Sequence, residues 1–274
     1  MPRLRVTRAS ATGAAVVEAA AGPSYDADAT TYIAAVEAAD GQSLESGVKS
    51  AINDFIVGCK TDGNWSALKA SCILAGARTL AGALVPLAGT APTNFNFVSA
   101  DYNRITGLIG NASTKYLNSN RNNNADPQNS KHVSVYVTQL DTGAFGYRSY
   151  LGPLPADGAG RTNLEVQSNN TLFNFYANSA QGGQRSSPAV GLFGASRPNA
   201  SSFNTFMNGS VQSFTAASQT PFNKAIYIFC RDLNGPDQHT NARMSFYSIG
   251  EAVNLALLDT RITTLMSALA TAIP

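Results

Sequence analysis

Between Asn94 and Gly250 short apolar runs alternate with polar turns, a pattern that admits strands and little else. The runs include His132-Val-Ser-Val-Tyr-Val-Thr138, Thr171-Leu-Phe-Asn-Phe-Tyr176, Ser202-Phe-Asn-Thr-Phe-Met-Asn208 and Ala225-Ile-Tyr-Ile-Phe-Cys230. Residues two apart share one side of a strand, so each run presents one apolar face. Asn, Gly, Ser and Pro separate the runs, as tight turns require. The expected product is an antiparallel β-sandwich.

The same region is poor in groups that do chemistry. The whole chain of 274 residues has two histidines and is 13% charged. A net charge of +2 gives no electrostatic reason to expect a nucleic-acid partner. No run approaches the ~18–20 apolar residues that span a bilayer, so membrane insertion is not expected. The first residues, up to Glu18, are too weakly apolar for a signal peptide. Cys59, Cys72 and Cys230 sit in apolar contexts and read as reduced, buried thiols. No second Cys or His lies at zinc-ligand spacing, and no metal or cofactor is expected.

Other segments change period. Residues 1–24 read as an extended arm, in which Arg3, Leu4, Arg5, Val6 and Arg8 alternate and could add a strand to a neighbour's sheet edge. Residues 25–91 read as a small helical subdomain. Asp26 and Asp28 open a first helix that ends at Asp40-Gly41, and Val48, Ile52, Phe55 and Ile56 mark a second. A third is predicted from Trp65 to Ala77, with Trp65 as an anchor between helices. A short turn then ends at Pro86. Residues 92–274 read as the sandwich, closed by a helix from Leu255 to Ala272. Asn118 to Ser130 is the most polar stretch and reads as a surface loop, as do 153–160 and 179–188.

The tests for catalysis come out weakly. A sandwich glycosidase needs two facing carboxylates, commonly acids two apart on a strand. None of Asp101, Asp126, Asp141, Asp157, Glu165, Asp232, Asp237 and Glu251 is two from another. His132 and His239 read as surface residues with no Gly-x-Ser-x-Gly elbow to serve. Asp126, Asp141 and Asp237 offer only a weak calcium option. The amides of Asn118 to Asn129 suit sugar hydroxyls, with Asn120, Arg121, Asn123 and Asp126 as the candidate ligand-binding residues.

The order Gly191-Leu-Phe-Gly-Ala-Ser-Arg-Pro198, Phe206-Met-Asn-Gly-Ser-Val211 and Ala242 to Gly250, followed by a helical tail, resembles concanavalin A-like (laminin G-type) domains. More closely, residues 102–110, Ser113-Thr-Lys-Tyr-Leu117, Asn120-Arg-Asn-Asn-Asn124, and Ser248 to Glu251 with residues 255–261 resemble uncharacterised virion proteins of tailed bacteriophages. The resemblance covers 27–274. It implies a structural protein at the tail or capsid surface of a virion, in a tail-fibre or receptor-binding position. Its partners would be other virion proteins and host cell-surface glycan. A capsid decoration protein and a glycan depolymerase are the alternatives, the latter lacking the closely spaced acids of glucanases with this fold. The expected fold is α+β: a helical N-terminal part, a concanavalin A-like jelly roll and a C-terminal helix. The expected assembly is a homo-oligomer, a trimer first of all.

Overall fold

The period-two runs become the strands of two facing sheets in a computed structural model, which describes residues 24–143, 146–167 and 171–274. The expected arm at Arg3, Leu4, Arg5, Val6 and Arg8 therefore lies outside the described residues. Among the described residues four helices accompany the sheets: α1 (Ala27–Asp40), α2 (Ser46–Thr61), the short α3 (Leu80–Ala83) and α4 (Leu255–Ala272).

The first sheet holds β1 (Leu68–Ile73), β3 (Tyr102–Asn103), β4 (Gly107–Ile109), β6 (Lys131–Gln139), β11 (Gly191–Arg197), β12 (Ser202–Met207), β13 (Ser210–Thr215) and β17 (Arg243–Gly250). Its order is β13-β12-β11-β6-β17-β4-β3, with β1 also paired to β17. The second holds β2 (Thr93–Phe95), β5 (Tyr116–Asn122), β7 (Arg148–Pro153), β8 (Asn163–Val166), β9 (Leu172–Tyr176), β10 (Gly183–Ser186) and β14 (Ala225–Ile228), with β15 (Arg231–Asp232) and β16 (Pro236–Asp237) beside them. Its order is β10-β9-β8-β7-β14-β5-β2. All pairings are antiparallel except the short contact between β15 and β7. Asn208 and Gly209, both at positive φ, form the two-residue turn between β12 and β13, a geometry that suits the twist of a hairpin.

The predicted helix from Trp65 to Ala77 is not formed. A single 3-10 turn at Trp65–Ala67 leads into β1, which runs antiparallel to β17. Five of the six β1 residues are buried, so the run carries no polar alternation that would mark it as a strand. The first sheet thus draws a strand from within residues 25–91. The other helices stand where their periodicity places them, and Gly41, at φ 70°, closes α1 in the left-handed conformation that glycine adopts without strain.

Packing explains why the helices sit where they do. Val133, Val135, Phe193, Phe203 and Tyr247 of the first sheet face Leu164, Val166, Phe173, Phe175 and Ile228 of the second, forming the sandwich core. The opposite face of the first sheet carries Ile73, Leu192, Phe206 and Phe246. These pack against Ile33, Val48, Ile52, Phe55, Leu258, Ile262 and Leu265 of the helices. The first sheet is covered on both sides, and the helices supply the second cover. Trp65 fits its expected role as an anchor: its indole N–H donates to Asp28 at the start of α1, and Lys60 of α2 stands 5.9 Å over its ring. The three cysteines are free and buried, and burial pushes the Cys59 and Cys72 thiols up to about 12.

His132 departs from its expected surface setting. It is fully buried on β6, because that strand lies between two covered faces. Its Nδ1–H donates to the Glu251 carbonyl, so Nε2 accepts from the Ser248 hydroxyl at 2.9 Å. Ser134 completes the chain at 2.7 Å from Ser248. Burial pushes the imidazole down to about 4 from an ordinary 6.5. The unfolded chain then takes up the proton first, so His132 is expected to remove stability as pH falls from 6.5 to about 4, on the order of 3 kcal/mol in all. Urea unfolding midpoints followed over that window should flatten in His132→Gln. An unchanged slope would contradict the assignment.

Candidate functional site

The sequence-derived ligand residues come together, but largely to bind one another. The stretch read as a loop from Asn118 begins as strand, since β5 continues to Asn122 and pairs with β14 and β2. A bulge at Asn120, held at φ 55°, keeps β5 in the sheet. Asn120 Nδ2 donates to the Ala91 carbonyl at 2.8 Å and to Thr93 Oγ1 at 3.0 Å. Asp126 has no exposed side-chain surface and accepts from Arg121 and from the equally buried Lys131, the latter at 2.7 Å. Lys131 also donates to the Asn123 carbonyl, and the fully buried Asn123 donates to the Gly160 carbonyl at 3.1 Å. Burial pushes the Asp126 carboxyl up, and the two cations more than reverse this, leaving it below its usual range. Asn123 and Asp126 are thus internal braces, which corrects the expectation that they face a ligand. The calcium option also falls away: Asp141 accepts from Thr240 and Asn241, and Asp237 from Arg231, so the three acids serve separate partners.

The second sheet has a different outer face. Leu164, Val166, Phe173 and Phe175 turn into the core. The period of two therefore sends Asn163, Glu165, Asn174 and Tyr176 to the other side. Ser149 of β7 lies opposite Glu165, and Gln184 of β10 opposite Asn174. Hydrogen bonds link these groups in a row. Ser149 Oγ donates to Asn163 Oδ1 at 2.6 Å, Asn163 Nδ2 to Glu165 Oε2 at 2.6 Å, and Gln184 Nε2 to Asn174 Oδ1 at 3.0 Å. At one end the Arg161 guanidinium lies 3.1 Å from the centroid of the Tyr176 ring. Gly182 makes room for that ring, since a Cβ there would stand 2.4 Å from Tyr176 Cε1. Tyr147 nearby is 40% exposed.

Toward the other edge the same face turns aromatic. Phe95 stacks on Tyr116 with centroids 4.4 Å apart, and Tyr116 meets Tyr227 at 4.9 Å and His239 at 6.0 Å. Arg231 stands between the two halves. It donates to Asp237 at 2.9 Å and reaches Glu165 at 3.6 Å. Burial pushes the Glu165 carboxyl up, and Arg161 and Arg231 offset part of that rise. On this side Ser149, Asn163, Glu165 and Asn174 are buried and bonded to one another, while Tyr147, Phe95 and Gln184 are exposed and offer aromatic and amide surface.

Each acid between Asn94 and Gly250, and Glu251 beyond it, accepts a hydrogen bond or an ion pair. Glu165 and Asp237 meet only across the Arg231 guanidinium. Among the described residues no three His, Cys, Asp or Glu gather as metal ligands do, and no helix is long and apolar enough to cross a membrane. Sequence reasoning counted Glu165 but did not single out this face. The signal was present in Asn163-x-Glu165 and Asn174-x-Tyr176, polar residues two apart that alternate with Leu164 and Phe175.

No protein-family model matches the chain, and no curated protein sequence matches it. Similar folds occur among solved structures. The botulinum neurotoxin serotype D binding domain is 10% identical, with a TM-score of 0.50 over 72% of this chain and 51% of that one. A Trypanosoma rangeli sialidase is 10% identical, with a TM-score of 0.48 over 80% of this chain and 39% of that one. This chain spans about half the length of the toxin chain. At such identities the likeness is one of fold, and it agrees with a sandwich of jelly-roll type closed by a C-terminal helix.

Proposed function

We propose that the chain is a structural virion protein of a tailed bacteriophage, in a tail-fibre or receptor-binding position, and that it binds host cell-surface glycan without cutting it. The observation that carries the binding reading is the outer side of the second sheet, where Tyr147, Phe95 and Gln184 are exposed while the first sheet is covered on both sides. The virion placement rests on the motif resemblance of residues 27–274. Binding without hydrolysis is supported by the acids, each already engaged, and by the guanidinium between Glu165 and Asp237. Hydrolysis needs an acid and a base or nucleophile in register across a cleft.

The reading predicts that the purified chain binds a subset of a glycan array and that Tyr147→Ala lowers the signal about five- to tenfold, as loss of an exposed stacking surface should. Tyr147 is too exposed for its removal to unfold the sandwich. An unchanged signal in Tyr147→Ala, or an array with no binding at all, would argue against this face. Antibody labelling of intact particles separates a tail position from that of a capsid decoration protein.

A further inference from the structure

Arg161, on the outer side of the second sheet, is an incompletely satisfied polar group. Its planar guanidinium covers the Tyr176 ring at 3.1 Å, so one face of the cation is in use. Its N–H donors lie in the plane of the group. Nε is buried with no hydrogen-bond partner, and no described protein group accepts from the guanidinium. Glu165 attracts Arg161 through charge alone and makes no ion pair with it: it accepts from Asn163 at 2.6 Å and from Asn174 at 3.4 Å, and faces Arg231 at 3.6 Å. Arg231 in turn is held by Asp237. A stacked, half-buried guanidinium is costly to leave unpaired, and a planar or tetrahedral oxyanion is its natural complement.

We propose that Arg161, stacked on Tyr176, is a subsite for an anionic sugar substituent, a carboxylate or a sulfate ester. This rests on the reading of the same face as glycan-binding and adds the ligand's charge to it. Gln184, exposed on β10 and bonded to the Asn174 amide, lies along the same face. Burial lowers the Arg161 pKa, consistent with a cation partly stripped of water, yet the group keeps its charge at neutral pH.

The test is calorimetry of the full chain against a galacturonic acid trisaccharide, the matched neutral galactose trisaccharide and its sulfated form. Wild type should bind one charged form about tenfold or more tighter than the neutral one, and the tighter of the two assigns the substituent. Arg161→Gln should abolish that preference. The wild-type preference needs no variant, so it stands as a test even if Arg161→Gln unfolds. Equal binding of charged and neutral sugars would overturn the anionic subsite and leave the glycan reading intact. Binding of none of the three, with none on the array, would overturn both.

Discussion

Replacing Asp126 with alanine is expected to remove about 3–5 kcal/mol of stability, because it leaves Lys131 charged, fully buried and without its carboxylate. Arg121 would lose the same partner, and the stretch from Asn122 to Ser130 would lose the brace that turns it back into β6. The double variant Asp126→Ala with Lys131→Met should recover most of the loss, since a buried ion pair removed whole costs far less than one cut in half. Chemical denaturation measures both. The sign with pH follows from the lowered Asp126 pKa: its contribution is present above the ordinary carboxylate range and fades as pH falls through the folded value. A small loss in the single variant, or a double variant as weak as the single, would show that the pair is not a brace.

The second large effect is expected at Phe246. Its ring belongs to β17 but packs with the helices, 5.8 Å from Phe55 in an edge contact. The neighbouring Tyr247 points into the sandwich core. Phe246→Ala should cost about 3–5 kcal/mol through the cavity it leaves. Helical and strand signals should then be lost together on heating, because the helices cover a face of the sheet. A helical transition well separated from the strand transition would mean that the two cores are independent. The strand β1 gives the same expectation from another side. A chain cut near Ala91 would lose Leu68–Ile73 from the sheet along with α1, α2 and α3, uncovering Phe246 where it packs on Phe55.

The elements that could be read in the sequence were those with one wet face. Residues 202–207 and 225–228 alternate because one side of each strand is less buried than the other, and α4 shows its stripe because its far side meets solvent. The run from Leu68 to Ile73 was unreadable for the opposite reason. Buried on nearly every side, it carries no period, and small and apolar residues there suit a helix as well as a strand. Asn118 to Asn122 failed differently. Polarity suggested a loop, yet amides serve as well on the outer face of a strand, and Asn120 tolerates the left-handed conformation that its bulge requires. The placement of His132 depended on the helix layer that covers β6, which no local pattern encodes. The candidate site was half visible. Spacing put Asn163 with Glu165 and Asn174 with Tyr176, but only the fold reveals that the second sheet keeps its outer face uncovered by helices and that Arg161 lies on the Tyr176 ring.

The central claim is that this chain holds glycan and leaves it intact. Purified host surface polysaccharide, immobilised on an optical biosensor and exposed to the protein over several hours, tests both halves at once. The expected result is a bound layer that grows to a plateau, washes off reversibly and leaves the mass of the polysaccharide unchanged. A steady fall of that mass below its starting value, abolished by Glu165→Gln or Asp237→Asn, would show hydrolysis and contradict the account, as would the absence of any bound layer.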